Sequence, residues 1–544
     1  MTCFRLFFTH CFLSSLCLCA SVVSSSSAAP SVTYLYPACA RQGTTVEASA
    51  GGTFDKWPVQ VWVSGKGVTG RAGKEKGKLS FTVAADAVPG TYWVRVHDET
   101  GASGLRPFVV GTLDEASEKE PNDEPGKPQP VELPAVMNGR LEKAGDVDAF
   151  AVKLRKGQTL VAAVEANRTL RSPVDAVLQV VSPGGFVLEQ GNDHAGLDPL
   201  VAFAAPADGT YAVRVFAFPS TPDSSIRFSG SDASVYRLTL TTGGYADHAW
   251  PLAVTRDGSA RVALVGWNIP EAARSVPVPD GDGAVVVRHP RVGNPVSVAV
   301  EQHPCWLAPA AMKERDPLAA PFTVTGRFEK AGQADRFRVA GKKSRTLTVR
   351  CESPSLGLAA APVVAIVGPD GKQLARAEPR RPDSDADLEF TPPADGTYTV
   401  EVRDLYGAQG PRHAYRLTVR PPQPDYALTV PADRIALNPG KPAEVIVAIT
   451  RRDGFPDDVT LKVEGLPDGV KAAVVPPAGK PDPGKLTLRF TADGKYEPGP
   501  VRIAGTAAGR NRVATATLAD FGTVTEDLWL SPGAAPPAPK KKKR

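Results

Sequence analysis

The chain has 544 residues, 50 of them glycine and 52 proline, and 42% are hydrophobic. Such a length exceeds one core, such turn-residue abundance argues against a helical fold, and such an apolar share argues against general disorder. The formal charge of +5 misleads, because Arg5 and Lys540–Arg544 supply six of 63 basic residues and leave 57 against 58 acidic ones, so no nucleic-acid-binding face is expected.

In chain order, residues 1–28 read as a signal peptide. Arg5 is followed by an apolar run from Leu6 to Val23 and a serine tract, and Ser26 and Ala28 suit cleavage after Ala28. The competing readings are an uncleaved anchor and a lipoprotein, although leucines precede Cys17 and Cys19 where a small residue is expected. No later stretch is long and apolar enough to span a bilayer, so no transmembrane segment is expected after cleavage. The location implied is exported: periplasm, cell surface or medium. Cleavage would leave Cys39, Cys305 and Cys351. Either Cys305–Cys351 pair or all three stay as buried thiols.

Residues 31–112 follow, with Arg41-Gln-Gly-Thr-Thr-Val-Glu-Ala48 and a terminal Pro89-Gly-Thr-Tyr-Trp-Val-Arg-Val96. They resemble an immunoglobulin-like module of the transcription-factor-immunoglobulin (IPT/TIG) type. An internal repeat comes next. Asn138-Gly-Arg-Leu-Glu-Lys-Ala-Gly-Asp-Val-Asp-Ala-Phe150 recurs as Thr325-Gly-Arg-Phe-Glu-Lys-Ala-Gly-Gln-Ala-Asp-Arg-Phe337. Pro206-Ala-Asp-Gly-Thr-Tyr211 recurs as Pro393-Ala-Asp-Gly-Thr-Tyr398. Both blocks recur at an offset of 187 positions, so two copies of one domain are expected, at 115–241 and 306–420. Alternation in Ala149–Leu154 and Tyr211–Val215, with turns at Ser182–Gly185 and Gly368–Gly371, predicts short strands in a sandwich. The Ala-Asp-Gly-Thr-Tyr glycine is expected at a tight turn, free to take positive φ.

These copies resemble the bacterial pre-peptidase C-terminal (PPC) domain, a β-sandwich appended to many secreted proteins. Glu120-Pro-Asn-Asp123, Gly145-Asp-Val-Asp-Ala-Phe150, Leu197-Asp198 and Pro206–Tyr211 carry the resemblance, more fully in the first copy than in the second. Between the copies, 243–304 reads as a shorter immunoglobulin-like module. After them, 424–528 resembles the immunoglobulin-like domains of bacterial surface proteins, joined through a stiff Arg420-Pro-Pro-Gln-Pro424 link. Residues 531–544 read as a disordered basic tail, with anionic cell-surface polymers as a charge-based alternative partner. The fold class is therefore all-β: a multidomain string of β-sandwich modules, immunoglobulin-like and PPC/jelly-roll-like.

The candidate chemistry is a calcium site in the first copy. Glu118, Glu120, Asn122 and Asp123 crowd the linker, and Asp146 and Asp148 lie in the next turn. Calcium takes six to eight oxygens, and an extended linker presents alternate residues on one side. The linker is similar to the Glu-x-Glu-x-Asn-Asp linker of calcium-binding collagen-binding domains, which implies the same cation here. The bland reading is a solvated acidic linker. In the second copy Gln333 replaces the first turn aspartate, Asp335 remains, and Lys313 and Arg315 intrude, so calcium is not expected there.

No zincin, Cys-x-x-Cys, nucleophile-elbow or phosphate-loop motif occurs in the part following the signal segment. The chain is accordingly expected not to be an enzyme. It is expected to be a scaffold or adhesion protein binding an extracellular polysaccharide, matrix protein or cell-envelope component. The alternative is an accessory chain of secreted hydrolysis. Trp267 is in phase with Ala263 and Val265 and is expected in a core, whereas Trp62 and Trp93 point to the opposite sheet face from their apolar neighbours.

Overall fold

Along Asp148–Leu154, the side chains of Phe150, Val152 and Leu154 are buried while Lys153 is exposed. This two-residue period, repeated throughout, turns one face of each strand into a core. The computed structural model describes residues 28–124, 126–221, 227–314, 316–381, 384–476 and 482–533. Nearly all of the targeting segment and most of the basic tail lie outside them. The chain is all-β, and its two α-helices among the described residues are single turns, Asn167–Leu170 and Ala308–Ala311. No helix among the described residues is long and apolar enough to cross a membrane.

Five large hydrophobic cores follow one another along the described residues, with two small clusters beside them. The first module pairs a four-stranded and a five-stranded sheet over Leu79, Phe81 and Phe108. Module three pairs two three-stranded sheets over Val262, Leu264 and Val298, so the short segment 243–304 has a core of its own. The last module is one continuous ten-stranded sheet that folds over Leu428, Phe490 and Leu528.

The two repeat copies share their strand order. In the first, the strands starting at 115, 135, 235, 159 and 200 form one sheet; in the second, those starting at 305, 322, 414, 347 and 386 do. Register is shared too: Asp148 pairs with Val215, and Asp335 with Val402, 187 positions on. The repeated Ala-Asp-Gly-Thr-Tyr block is a structural clasp. Asp208 Oδ1 accepts from Lys156 N at 2.6 Å and the Tyr211 hydroxyl donates to Ala207 O at 2.8 Å. Asp395, Lys343, Tyr398 and Ala394 repeat both bonds at the same distances. The glycine of that block does not take positive φ; Gly209 and Gly396 keep ordinary backbone, and the aspartate closes the turn instead.

The modules also brace one another across the string. Arg95 in the first module pairs with Asp433 in the last at 2.7 Å, with the arginine fully buried. Around that pair, Trp62 and His97 pack on Trp529 at 5.8 and 4.7 Å, and Trp93 meets Phe521 at 5.1 Å. The out-of-phase tryptophans thus line a junction between modules. Asp247 in the third module receives Arg412 Nε from the fourth at 3.1 Å and lies 3.4 Å from His194 Nε2 of the second. The Pro-rich link is tied down by Gln423 N donating to Asp453 Oδ2 at 2.7 Å. Cys39, Cys305 and Cys351 are all free thiols, so the Cys305–Cys351 pairing is not formed.

Candidate metal centre

The site grows from two segments of the first copy. Strand Glu115–Ser117 pairs in parallel with Ala135–Arg140, and Glu118 N continues the contact by donating to Asn138 O at 2.9 Å. The acidic linker is thereby laid beside the second segment, the turn before strand Asp148–Leu154. In that turn Asp146 N donates to Lys143 O at 3.1 Å, and Gly145 sits at φ 91°, where a side chain would be strained. Gly332 repeats this at φ 67° in the second copy.

The two segments bring one carboxylate oxygen each from Glu120, Asp123, Asp146 and Asp148 within 4.8 Å of one another. Asp146 and Asp148 are 1% and 0% exposed. Oδ1 of Asp123, Asp146 and Asp148 has no hydrogen-bond partner among the described residues. Asn122, 2% exposed, has both amide atoms unpartnered in the same sense. Buried polar atoms nearly always find partners, so the four unpartnered oxygens of Asn122, Asp123, Asp146 and Asp148 mark a place that suits a cation or a proton. Burial, with the neighbouring carboxylates, pushes Asp148 up to about 10 and Asp146 up to about 6. Lys143 Nζ stands 3.3 Å from Asp123 Oδ2 and 4.0 Å from Asp146 Oδ1, one largely exposed cation beside four carboxylates.

Glu118 has a different place from the one its spacing suggests. Its Oε1 accepts from Arg140 N at 2.7 Å and the Tyr36 hydroxyl at 3.2 Å, and its Oε2 from the Tyr236 hydroxyl at 3.2 Å. The Tyr236 hydroxyl has one proton to share, and its nearer acceptor is Asp148 Oδ2 at 2.5 Å. With its oxygens engaged, Glu118 backs the cluster and joins it to Tyr36 of the first module. Burial pushes the Glu118 carboxyl up to about 7. Tyr236 lies over Gly139, where a Cβ would fall 2.0 Å from the ring and 2.6 Å from Glu118 Oε2. Gly139→Ala is therefore expected to destabilise this module by about 1–3 kcal/mol, through overpacking of the tyrosine that orients Asp148, as read by denaturant unfolding. A variant as stable as the parent would show that the tyrosine can move aside.

The corresponding turn of the second copy is closed without a cluster. Gln333 Oε1 accepts from Glu329 N at 2.7 Å, and its Nε2 donates to Asp335 Oδ1 at 2.8 Å and to Arg327 O at 3.2 Å. The Tyr415 hydroxyl donates to Asp335 Oδ2 at 2.5 Å, as Tyr236 does to Asp148. The helical turn Ala308–Ala311 follows the first strand where the first copy has its acidic linker.

Sequence spacing gives no sign of the polar hub around Asp247. His248 Nδ1 lies 2.8 Å from Asp247 Oδ2, and the hub borders a cavity of about 640 Å³ between the first four modules. The cavity's arginines are largely compensated: Arg412 by Asp247, Arg416 by Glu352, and Arg237 by Glu115 and Glu165. His248 Nε2 has no hydrogen-bond partner among the described residues, so the His–Asp contact does not extend to a nucleophile. Its visible work is to tie modules together.

No family model matches the chain. Over 121 residues it is 30% identical to a protein of Deinococcus radiodurans named "Probable subtilase-type serine protease". The match takes in 21% of this chain and only 16% of that protein.

Proposed function

We propose that this chain is an exported, non-catalytic modular scaffold whose first repeat copy holds a calcium ion. The carrying observation is the cluster of Glu120, Asp123, Asp146 and Asp148 with its unpartnered buried oxygens. An all-oxygen, multiply anionic set on a linker and a turn suits a hard cation of flexible coordination, and Asn122 offers a further amide oxygen. When bound, calcium would neutralise the carboxylates and hold the linker to the turn. Tyr36, through Glu118, then couples that stiffening to the angle of the first module. The copies read as PPC-like domains, and the flanking modules as immunoglobulin-like ones. The partner class is an extracellular polysaccharide, matrix protein or cell-envelope component.

Calcium is expected to raise the unfolding temperature of the full chain. The double substitution Glu120→Ala, Asp123→Ala should abolish the gain and matter little in calcium-free buffer. An equal loss in both buffers would rule out the metal role.

A second reading has one observation in its favour, the 121-residue likeness to a subtilase-type protease. In it the chain serves secreted hydrolysis as a substrate-binding accessory. Assays against protein and polysaccharide panels separate the readings from catalysis: saturable binding without turnover fits both, and turnover overturns both.

A further inference from the structure

We propose that the Gln333 amide is a built-in substitute for the cation at Asp146, so that the second copy satisfies its strand aspartate without a metal. The inference rests on the calcium reading of the first copy and extends it to the second. Positions 146 and 333 are equivalent by the 187-residue offset, which strand register preserves through the pairs Asp148–Val215 and Asp335–Val402. One half of each side chain does the same job. Asp146 Oδ2 accepts from Glu142 N, and Gln333 Oε1 accepts from Glu329 N, also 187 positions on.

The other half differs in polarity. Gln333 presents an N–H donor, which reaches Asp335 Oδ1 at 2.8 Å and Arg327 O at 3.2 Å. Asp146 presents an acceptor, Oδ1, which like Asp148 Oδ1 has no hydrogen-bond partner among the described residues, Lys143 Nζ lying 4.0 Å from it. The tyrosine on the far carboxylate oxygen is unchanged, Tyr236 on Asp148 and Tyr415 on Asp335, both at 2.5 Å. The two copies thus solve one task, satisfying a buried aspartate at the start of the same strand. The second does so with an amide N–H. The first gathers carboxylate oxygens within 4.8 Å of one another, which a cation satisfies together and a proton satisfies one at a time.

The test uses the full chain with Asp146→Gln, Asp146→Ala and Gln333→Glu. Asp146→Gln should release no heat on titration with calcium chloride. In chelated buffer it should unfold about 4 °C above Asp146→Ala, a shift readable by scanning calorimetry. Gln333→Glu, which turns the donor into an acceptor, should lower the unfolding temperature of the second copy by a similar amount with or without calcium. The inference is overturned if Asp146→Gln is no more stable than Asp146→Ala in chelator, or if Gln333→Glu unfolds like the parent. Failure of the calcium reading looks different: the parent itself would give no heat and no thermal response to calcium, while the Gln–Ala comparison in chelator would still judge the amide.

Discussion

Arg95→Ala is expected to release the last module from the first and to enlarge the molecule in solution. Arg95 is fully buried and donates to Ser103 O at 2.6 Å as well as to Asp433. Its guanidinium also lies 5.6 Å from the Trp529 ring centre. Asp433 is only 12% exposed, so loss of the arginine strands a nearly buried carboxylate. Breaking such a pair from one side costs about 3–5 kcal/mol, more than replacing both partners together. Asp433→Ala should therefore have a similar effect, working from the other module, and the double variant should cost less than the sum of the two. Small-angle scattering reads the change as a larger radius of gyration, and limited proteolysis as new cleavage near Arg420–Pro424. An unchanged radius for both single variants would mean that Trp62, His97, Trp93 and their aromatic partners hold the junction without the ion pair. If Arg95→Ala expands the molecule and Asp433→Ala does not, the damage lies inside the first module.

Separate modules were legible in the sequence, whereas for their bracing it offered only a module junction as one of three readings of the face that Trp62 and Trp93 share, beside solvent and a ligand surface. Strand period, turn residues and the 187-residue offset are local signals, and they suffice for an all-β chain with two equivalent copies. A junction depends on which faces meet, and that is decided by residues hundreds of positions apart, such as Arg95 and Asp433. Trp62 and Trp93 were legible as facing away from their own cores, yet not as facing Trp529 and Phe521. Trp267 shows how period fails. The buried residues of its strand are Val262 and Leu264, in the opposite phase, and Trp267 instead packs against His194 at 5.6 Å. The ladder to Tyr245–Trp250 carries a register shift between Ala246 and His248, and such irregularities unsettle an alternation read from sequence alone. The metal candidates were legible because four of the six crowd into one linker. The contacts of Glu118 were not legible, because its partners Tyr36 and Tyr236 lie 82 and 118 positions away.

Calcium-free protein is expected to lose stability as pH rises from about 4 towards 10, and calcium to reverse that slope. In the unfolded chain an aspartate gives up its proton near 3.8, whereas Asp148 in the fold is pushed up to about 10, Asp146 to about 6, and Glu118 to about 7 from 4.5. Over the interval between each pair of values the folded state binds more protons, so unfolding becomes easier as pH increases. A bound cation makes the ionised carboxylates the favoured form and draws their folded values below the unfolded ones. Stability is then gained as pH rises through the ordinary carboxylate range and kept above it. The increment from calcium should thus be small near pH 5 and largest near pH 8, where a hundredfold excess over Kd contributes about 2.7 kcal/mol. Thermal unfolding at pH 5, 6.5 and 8, with and without calcium, measures it. Titrations elsewhere in the chain are common to both buffers and cancel in the difference. An increment that is flat with pH would mean that the four carboxylates are not the ligands, and one confined to low pH would mean that ionised carboxylates do not hold the cation.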